Sequence, residues 1–398
     1  MAAGETGVKA GRRRVWVAAA ALVAAAAAAA IFRAGGEADA PALWRPGTPL
    51  AQDQVKVCVI HVSNLDGPAS GYAQAHELGL RWAQKALGLD DGQFITKTNV
   101  SDVNQPATEH SMRECLAAGA NVVVATSWNH MPVCARLATE FPGAVFANAT
   151  GSKHNNSNFT NYFGRVYQAR YLAGLVAGYR TATGQIGYVA AMGKDNSEVT
   201  GGLNAFALGV EKANPEARVQ VRVTHRWYDP EGEERAAREL IAAGCDVIAQ
   251  HSNTAAPQIA AQDAGVWGIG YNSDLKADAP KAVITSVVWN WGVYYTRLLQ
   301  SVIDGSFTAA PYLGGLDDGL VALTPLDREL LPAGREDEIL EAVETARAKI
   351  ESGAMDVFEG EMETNGGWIV GRAGERLSYE EISLGINWYY RNVIEAGD

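Results

Sequence analysis

The chain has 398 residues, 47% of them hydrophobic, enough for two ordinary domains with real cores. Lys and Arg number 33 against 45 Asp and Glu, a formal net charge of −12. That acidic balance argues against a nucleic-acid groove, which needs a basic stripe, and leaves a small neutral ligand open.

The first element is a targeting segment. A basic stretch, "KAGRRR", precedes an uncharged, Ala-rich run over residues 15–32. As a helix that run would span about 27 Å, close to a bilayer core. "ADA" at 38–40 has the small residues of a cleavage site. Residues 1–40 are therefore expected to be a signal peptide or an uncleaved signal anchor. Either would export the rest of the chain to the periplasm or another extracytoplasmic space. Residues 41–54, rich in Ala and Pro, read as a tether.

From Lys56 the pattern is regular. "KVCVIHV", "GQFITKTNV", "NVVVATS" and "AVFANAT" read as strands. Between them lie the helical stretches "YAQAHELGLRWAQKAL", "ATEHSMRECLAAG" and "MPVCARLATEF". A long helix follows over 167–182. A second series then repeats the first, with strands "QIGYVAAM", "ARVQVRVTHRW", "CDVIAQHS" and "VWGIGYNS". Even the wording recurs: "AAGANVVVATSWN" (117–129) and "AAGCDVIAQHSNT" (242–254) share a helix end, a Gly and an apolar strand. Short, unbroken apolar strands alternating with helices belong in parallel sheets covered on both faces. The expected fold is α/β: two Rossmann-like lobes with parallel sheets, hinged, with a ligand cleft between them. Lobe 1 is expected to take 55–160 plus about 284–308, and lobe 2 to take 161–283 plus about 309–398. The tail contains an amphipathic helix, then "GGWIVGRAGERLSYEEI", which suggests a hairpin and a turn of helix.

The four cysteines, Cys58, Cys115, Cys134 and Cys245, fit no metal motif. They are expected to be small buried thiols. If a disulfide forms, Cys115 with Cys134 is the pair the sequence favours.

Ligands of open parallel sheets lie beyond the carboxyl ends of the strands. The loops there carry aromatics and amides but little charge. "SWNH" offers Ser127, Trp128 and Asn129; "HSNT" offers Asn253; "YNSD" offers Asn272 and Asp274. Tyr72 opens the first helix, and Trp291 lies in the return segment. Flat rings can sandwich a flat ligand, and amides both donate and accept at the edge of a heterocycle. Each aromatic has an ordinary alternative as interdomain packing, and each asparagine as a turn former. His76 and His251 can either touch a ligand or be satisfied structural residues. No catalytic motif is present: there is no GxSxG elbow, HExxH, CxxC or P-loop. No catalytic residue, metal ligand or cofactor is expected.

These stretches resemble the basic membrane protein (BMP) type of ABC-transporter substrate-binding protein. The matching pieces include "GYAQAHELG", "ATSWNHM", "GRVYQARYLAGLVAG", "WYDPEGE", "CDVIAQHSNTAAP", "GIGYNSD" and "LGGLDDGLVAL", in order and over nearly all of the chain from about residue 55. The resemblance implies a type I periplasmic-binding-protein fold, a purine base or nucleoside as ligand, an ABC permease as partner, and a monomer. It implies that Tyr72 and Trp128 stack on the base. Where relatives often carry Asp, this chain has Asn253 and Asn272, which widens the expected ligands to oxo-purines, pyrimidines or other polar heterocycles. No cysteine precedes Cys58, so the usual lipoprotein anchor has no acceptor. A ligand-sensing module beside a membrane receptor, and a nucleoside-acting enzyme, are the alternative readings.

Overall fold

The computed structural model of the protein describes residues 44–65 and 71–395. The expected signal segment and the start of the tether lie outside them. The rest of the tether is packed: Leu50 is buried, and its N–H reaches the carbonyls of Val302 and Ile303.

The first series runs β1 (Val57–Ile60), α1 (Gly71–Leu87), β2 (Phe94–Lys97), α2 (Gln105–Ala117), β3 (Val122–Ala125), α3 (Met131–Glu140), β4 (Val145–Ala149) and β5 (Phe159–Gly164). The chain crosses through α4 (Val166–Arg180) into β6 (Gln185–Ala190), α5 (Ser197–Ala213), β7 (Arg218–Val223), α6 (Pro230–Ala242), β8 (Val247–His251), α7 (Ala256–Asp263) and β9 (Trp267–Asn272). Then follow β10 (Val283–Trp289), α8 (Trp291–Asp304), β11 (Tyr312–Gly314), β12 (Val321–Leu323), α9 (Glu336–Glu351), the hairpin β13 (Met362–Glu363) and β14 (Ile369–Val370), and β15 (Val393–Glu395).

Two sheets result, ordered β11-β5-β4-β3-β1-β2 and β12-β10-β9-β8-β6-β7-β15. All pairings in them are parallel except β10 with β12. The inner orders of the two sheets match, so β3 and β8, the repeated phrase, hold equivalent places beside the strand where the order reverses. The copies also share their scaffold chemistry. Gly119 and Gly244 close their helices at φ of 90° and 94°, a left-handed region that favours glycine. Two residues on, a polar side chain clamps the backbone that enters the neighbouring strand. Asn121 Oδ1 accepts from Lys56 N at 2.9 Å, and Asp246 Oδ2 accepts from Ala182 N at 2.7 Å.

Two strands after β9 depart from the residue ranges expected from sequence, whereas β12 and β15 join the second sheet as expected. β10 joins the second sheet and β11 the first, whereas α8, between them, packs on α1 of the first lobe. The apolar run of β10 finds a free edge beside β9, so the chain changes lobes after it rather than before. Two of the cysteines also differ from expectation. Cys58 on β1 is bonded to Cys115 on α2, with 6.0 Å between their Cα atoms. Cys134 and Cys245 are free and buried. Cys58, Cys115 and Cys134 all sit in one apolar core, so burial alone could not choose the pair.

Candidate ligand-binding site

In the first lobe, β3 runs into a short turn at Trp128–His130. Ser127 caps it: Oγ accepts from Asn129 N at 3.3 Å and donates to Asp102 Oδ2 at 2.6 Å. Asn129 Nδ2 donates to the same carboxylate oxygen at 3.2 Å, and its carbonyl accepts from Gln105 Nε2 at 2.7 Å. The polar atoms of Ser127 and Asn129 thus serve the loop itself, while His130 is buried with neither ring nitrogen partnered and Trp128 is 45% exposed.

Tyr72, in the first turn of α1, stands edge-on to His76 at 4.5 Å. Behind it is a column of rings. His76 stacks on Trp291 at 4.3 Å, and Trp291 stacks on Trp289 at 4.6 Å. Trp291 is fully buried and meets Tyr72 edge-on at 6.5 Å, so it packs behind that ring. Burial holds the Tyr72 phenol well above its ordinary pKa and the His76 imidazole well below its own.

In the second lobe the loop after β8 is pinned from beneath. The Glu233 carboxylate, fully buried on α6, accepts at Oε2 from Ser252 Oγ (2.7 Å), Thr254 Oγ1 (2.8 Å) and Thr254 N (3.2 Å). Asn253 N donates to the Trp227 carbonyl at 3.0 Å. Held this way, Asn253 Oδ1 accepts from Asn272 Nδ2 at 2.9 Å. Asn272 lies at φ 69°, a left-handed conformation that asparagine tolerates better than most residues. Its Oδ1 is buried without a partner. Asp274, further along, is exposed and caps its own turn at Lys276 N.

The lobes meet here. A Cβ placed on Gly71 would lie 3.3 Å from the Asn253 carbonyl and 3.5 Å from Asn272 Cβ. The start of α1 therefore rests on the strand ends of the second lobe, which is the arrangement of a closed cleft. Tyr72 accordingly feels the charge of Glu198 and the phenol of Tyr271 from across the interface.

Against Tyr271, the residue before Asn272, lies a polar group that sequence reasoning missed. Arg170 on α4 is fully buried. Its guanidinium sits 4.0 Å over the Tyr271 ring, and Nη1 donates to the Gln250 carbonyl at 2.6 Å. His251 Nδ1 is 3.4 Å from Tyr188 OH, and its Nε2 faces Glu198 Oε1 at 3.7 Å. Burial raises the Glu198 carboxyl to about 7 despite the nearby Arg170, and lowers His251 well below its usual value. A signal was available. α4 is buried on every side from Val166 to Gly178, and its one arginine within that stretch is a charge where none is cheap.

Of the residues expected from sequence, Tyr72, Asn253 and Asn272 come together at the interface, with Trp291 behind them. Among the described residues, no hydrogen bond or ring contact joins Ser127, Trp128 and Asn129 to that group, and Asp274 stands apart.

Residues 54–353 match the family model Bmp, described as ABC transporter substrate-binding protein PnrA-like. The chain belongs to the Bmp family. It is 31% identical to a protein of Brucella abortus named purine-binding protein BAB2_0673, over 87% of this chain and 95% of that one. It is 33% identical to a Haloferax volcanii protein named putative ABC transporter glucose-binding protein TsgA13, over 71% of each. A solved ABC transporter solute-binding protein from Conexibacter woesei superposes with a TM-score of 0.64 at 23% identity, covering 76% of this chain and 98% of that one. The fold is therefore that of type I periplasmic binding proteins. The chain is a substrate-binding protein and not an enzyme. Such proteins work outside the cytoplasm, with a small-molecule ligand and a membrane permease. No helix among the described residues is long and apolar enough to cross a membrane.

Proposed function

We propose that this Bmp-family protein delivers a purine base or nucleoside, or a similar polar heterocycle, to its permease as a monomer exported by residues 1–40. The observation that carries the reading is the near end-to-end similarity to a relative named as purine-binding. The interface supports it. Tyr72 presents a backed aromatic ring, and the paired amides Asn253 and Asn272 supply both donors and acceptors. Trp128, half exposed after β3 of the first lobe, supplies a second ring. Closure of the two lobes on the ligand is the signal that the permease reads.

A sugar is the second reading, because another relative carries a glucose-binding name and rings with amides suit a sugar as well. One thermal-shift panel separates the two. It contains hypoxanthine, guanine, adenine, inosine, adenosine and glucose, with calorimetry on any hit. A ligand at 100 times its Kd stabilises by about 2.7 kcal/mol. Stabilisation by purines and not by glucose is the expected result; the reverse would replace the purine reading with the sugar one.

A further inference from the structure

Arg170 is a charged side chain that is fully buried with two of its nitrogens unpartnered. The helix that carries it is locked in place: a Cβ on Gly174 would collide with the Phe206 carbonyl, and one on Gly209 with that of Tyr171, so α4 and α5 touch backbone to backbone. The guanidinium therefore has a set position. Its Nη1 is used by Gln250, but Nε and Nη2 are buried without partners. These two form the side edge of the guanidinium, the pair of parallel N–H groups that grips two neighbouring acceptors at once. A fully buried charge with its best edge unmet is costly unless something arrives to meet it. Glu198 makes no ion pair with it, and two more atoms without hydrogen-bond partners, His251 Nε2 and Asn272 Oδ1, belong to the residues that end β8 and β9.

Resting on the purine reading of this cleft, we propose that the Nε–Nη2 edge of Arg170 holds O6 and N7 of a 6-oxopurine, so that the protein selects hypoxanthine or guanine over adenine. Two in-plane acceptors side by side are what that edge fits. Adenine instead places its amino group beside N7 and sets donor against donor. Glu198 and Asn272 Oδ1 accept the remaining ring N–H groups.

Calorimetry on the unaltered full chain tests this without any risk to folding. Hypoxanthine is expected to bind about 5- to 150-fold more tightly than adenine, the span that one bidentate arginine contact gives. It is expected to outbind 7-deazahypoxanthine, which lacks the N7 acceptor. Arg170→Lys keeps the charge and loses the fork, and is expected to erase the preference. Adenine binding as tightly as hypoxanthine, or tighter, overturns the assignment while leaving purine binding intact. So does a folded Arg170→Lys that keeps the preference. Orotate bound ahead of every purine would give the edge to a carboxylate and overturn it too. Failure of all purines would instead fell the reading on which it rests.

Discussion

The loops after β3 and β8 occupy equivalent places in two copies of one design, and each is held by a carboxylate. In the first lobe the anchor is Asp102, partly exposed, which takes Ser127 Oγ and Asn129 Nδ2. In the second it is Glu233, fully buried, which takes two hydroxyls and a backbone N–H on one oxygen. The first loop ties Ser127 and Asn129 to its own carboxylate, leaves Trp128 half in solvent, and holds His130 buried with neither ring nitrogen partnered. The second is rigid underneath and borders polar atoms with nothing to bond. Unmet hydrogen bonds are rare in folded proteins because each is costly. Such unpartnered atoms occur in both lobes, His130 Nδ1 and Nε2 in the first and Asn272 Oδ1 in the second among them, so it is the Asn253–Asn272 pair beside the start of α1, and not a count, that makes the second lobe the proposed reader of the ligand's polar edge.

The anchors give the most forceful way to break this comparison. Glu233→Ala leaves Ser252 Oγ, Thr254 Oγ1 and Thr254 N without an acceptor in the core. We expect a loss of about 2–4 kcal/mol in urea unfolding, in line with unmet buried hydrogen bonds. Asp102→Ala strips a more exposed anchor whose partners turn to water, and should cost less than about 1 kcal/mol. Equal losses would mean that the two loops are held alike.

Glu198 gives a smaller, pH-dependent contrast. Its folded pKa, about 7, lies above the ordinary carboxylate value because burial disfavours the charge. The folded state therefore holds this proton more tightly than the unfolded chain does. Stability from that proton is fully present below the unfolded pKa and is lost as pH rises through about 7. Glu198→Gln mimics the neutral form at every pH. Wild type and variant should be nearly equal at acid pH, and the variant should be ahead by about 1–3 kcal/mol at alkaline pH. His76 and His251 are depressed and act in the opposite direction, weakening the fold as pH falls. His76 is common to both proteins and cancels in the difference, and His251, although 3.7 Å from Glu198, is held well below its ordinary value and so titrates outside the window near 7. A difference that stays flat with pH would place Glu198 in water and remove it from the interface.

The lobes were legible because periodic apolar strands and a repeated phrase are local signals, and β3 and β8 fall where the phrase predicts. The lobe changes after β9 were not, since nothing in the run of β10 says which sheet edge is free. Within the candidate site, Tyr72, Asn253 and Asn272 were expected from their place at strand or helix ends, and the structure brings them together where the lobes meet. Arg170 and Glu198 were not expected, because their meaning lies in what surrounds them. An arginine in a helix of small residues is a local oddity, but its empty edge exists only once Gln250, Tyr271 and α5 are packed around it. The disulfide failed for the same reason: three cysteines share one core, and only the packing of α2 on β1 selects two of them.

The smallest expected effect belongs to the residue that the strand-end pattern made most prominent. Trp128→Ala removes a half-exposed ring whose neighbours hydrogen-bond among themselves, so stability should change by no more than about 0.5 kcal/mol. Its contribution to ligand affinity is expected to fall below that of Tyr72. Tyr72→Ala takes away a ring backed by His76 and Trp291 and should cost about 1–3 kcal/mol of binding, as base–aromatic stacking does elsewhere. Calorimetry of both variants against the same purine ranks them directly. If Trp128→Ala costs more than Tyr72→Ala, the first lobe grips the ligand through its β3 loop, and the division of labour between the lobes is drawn in the wrong place.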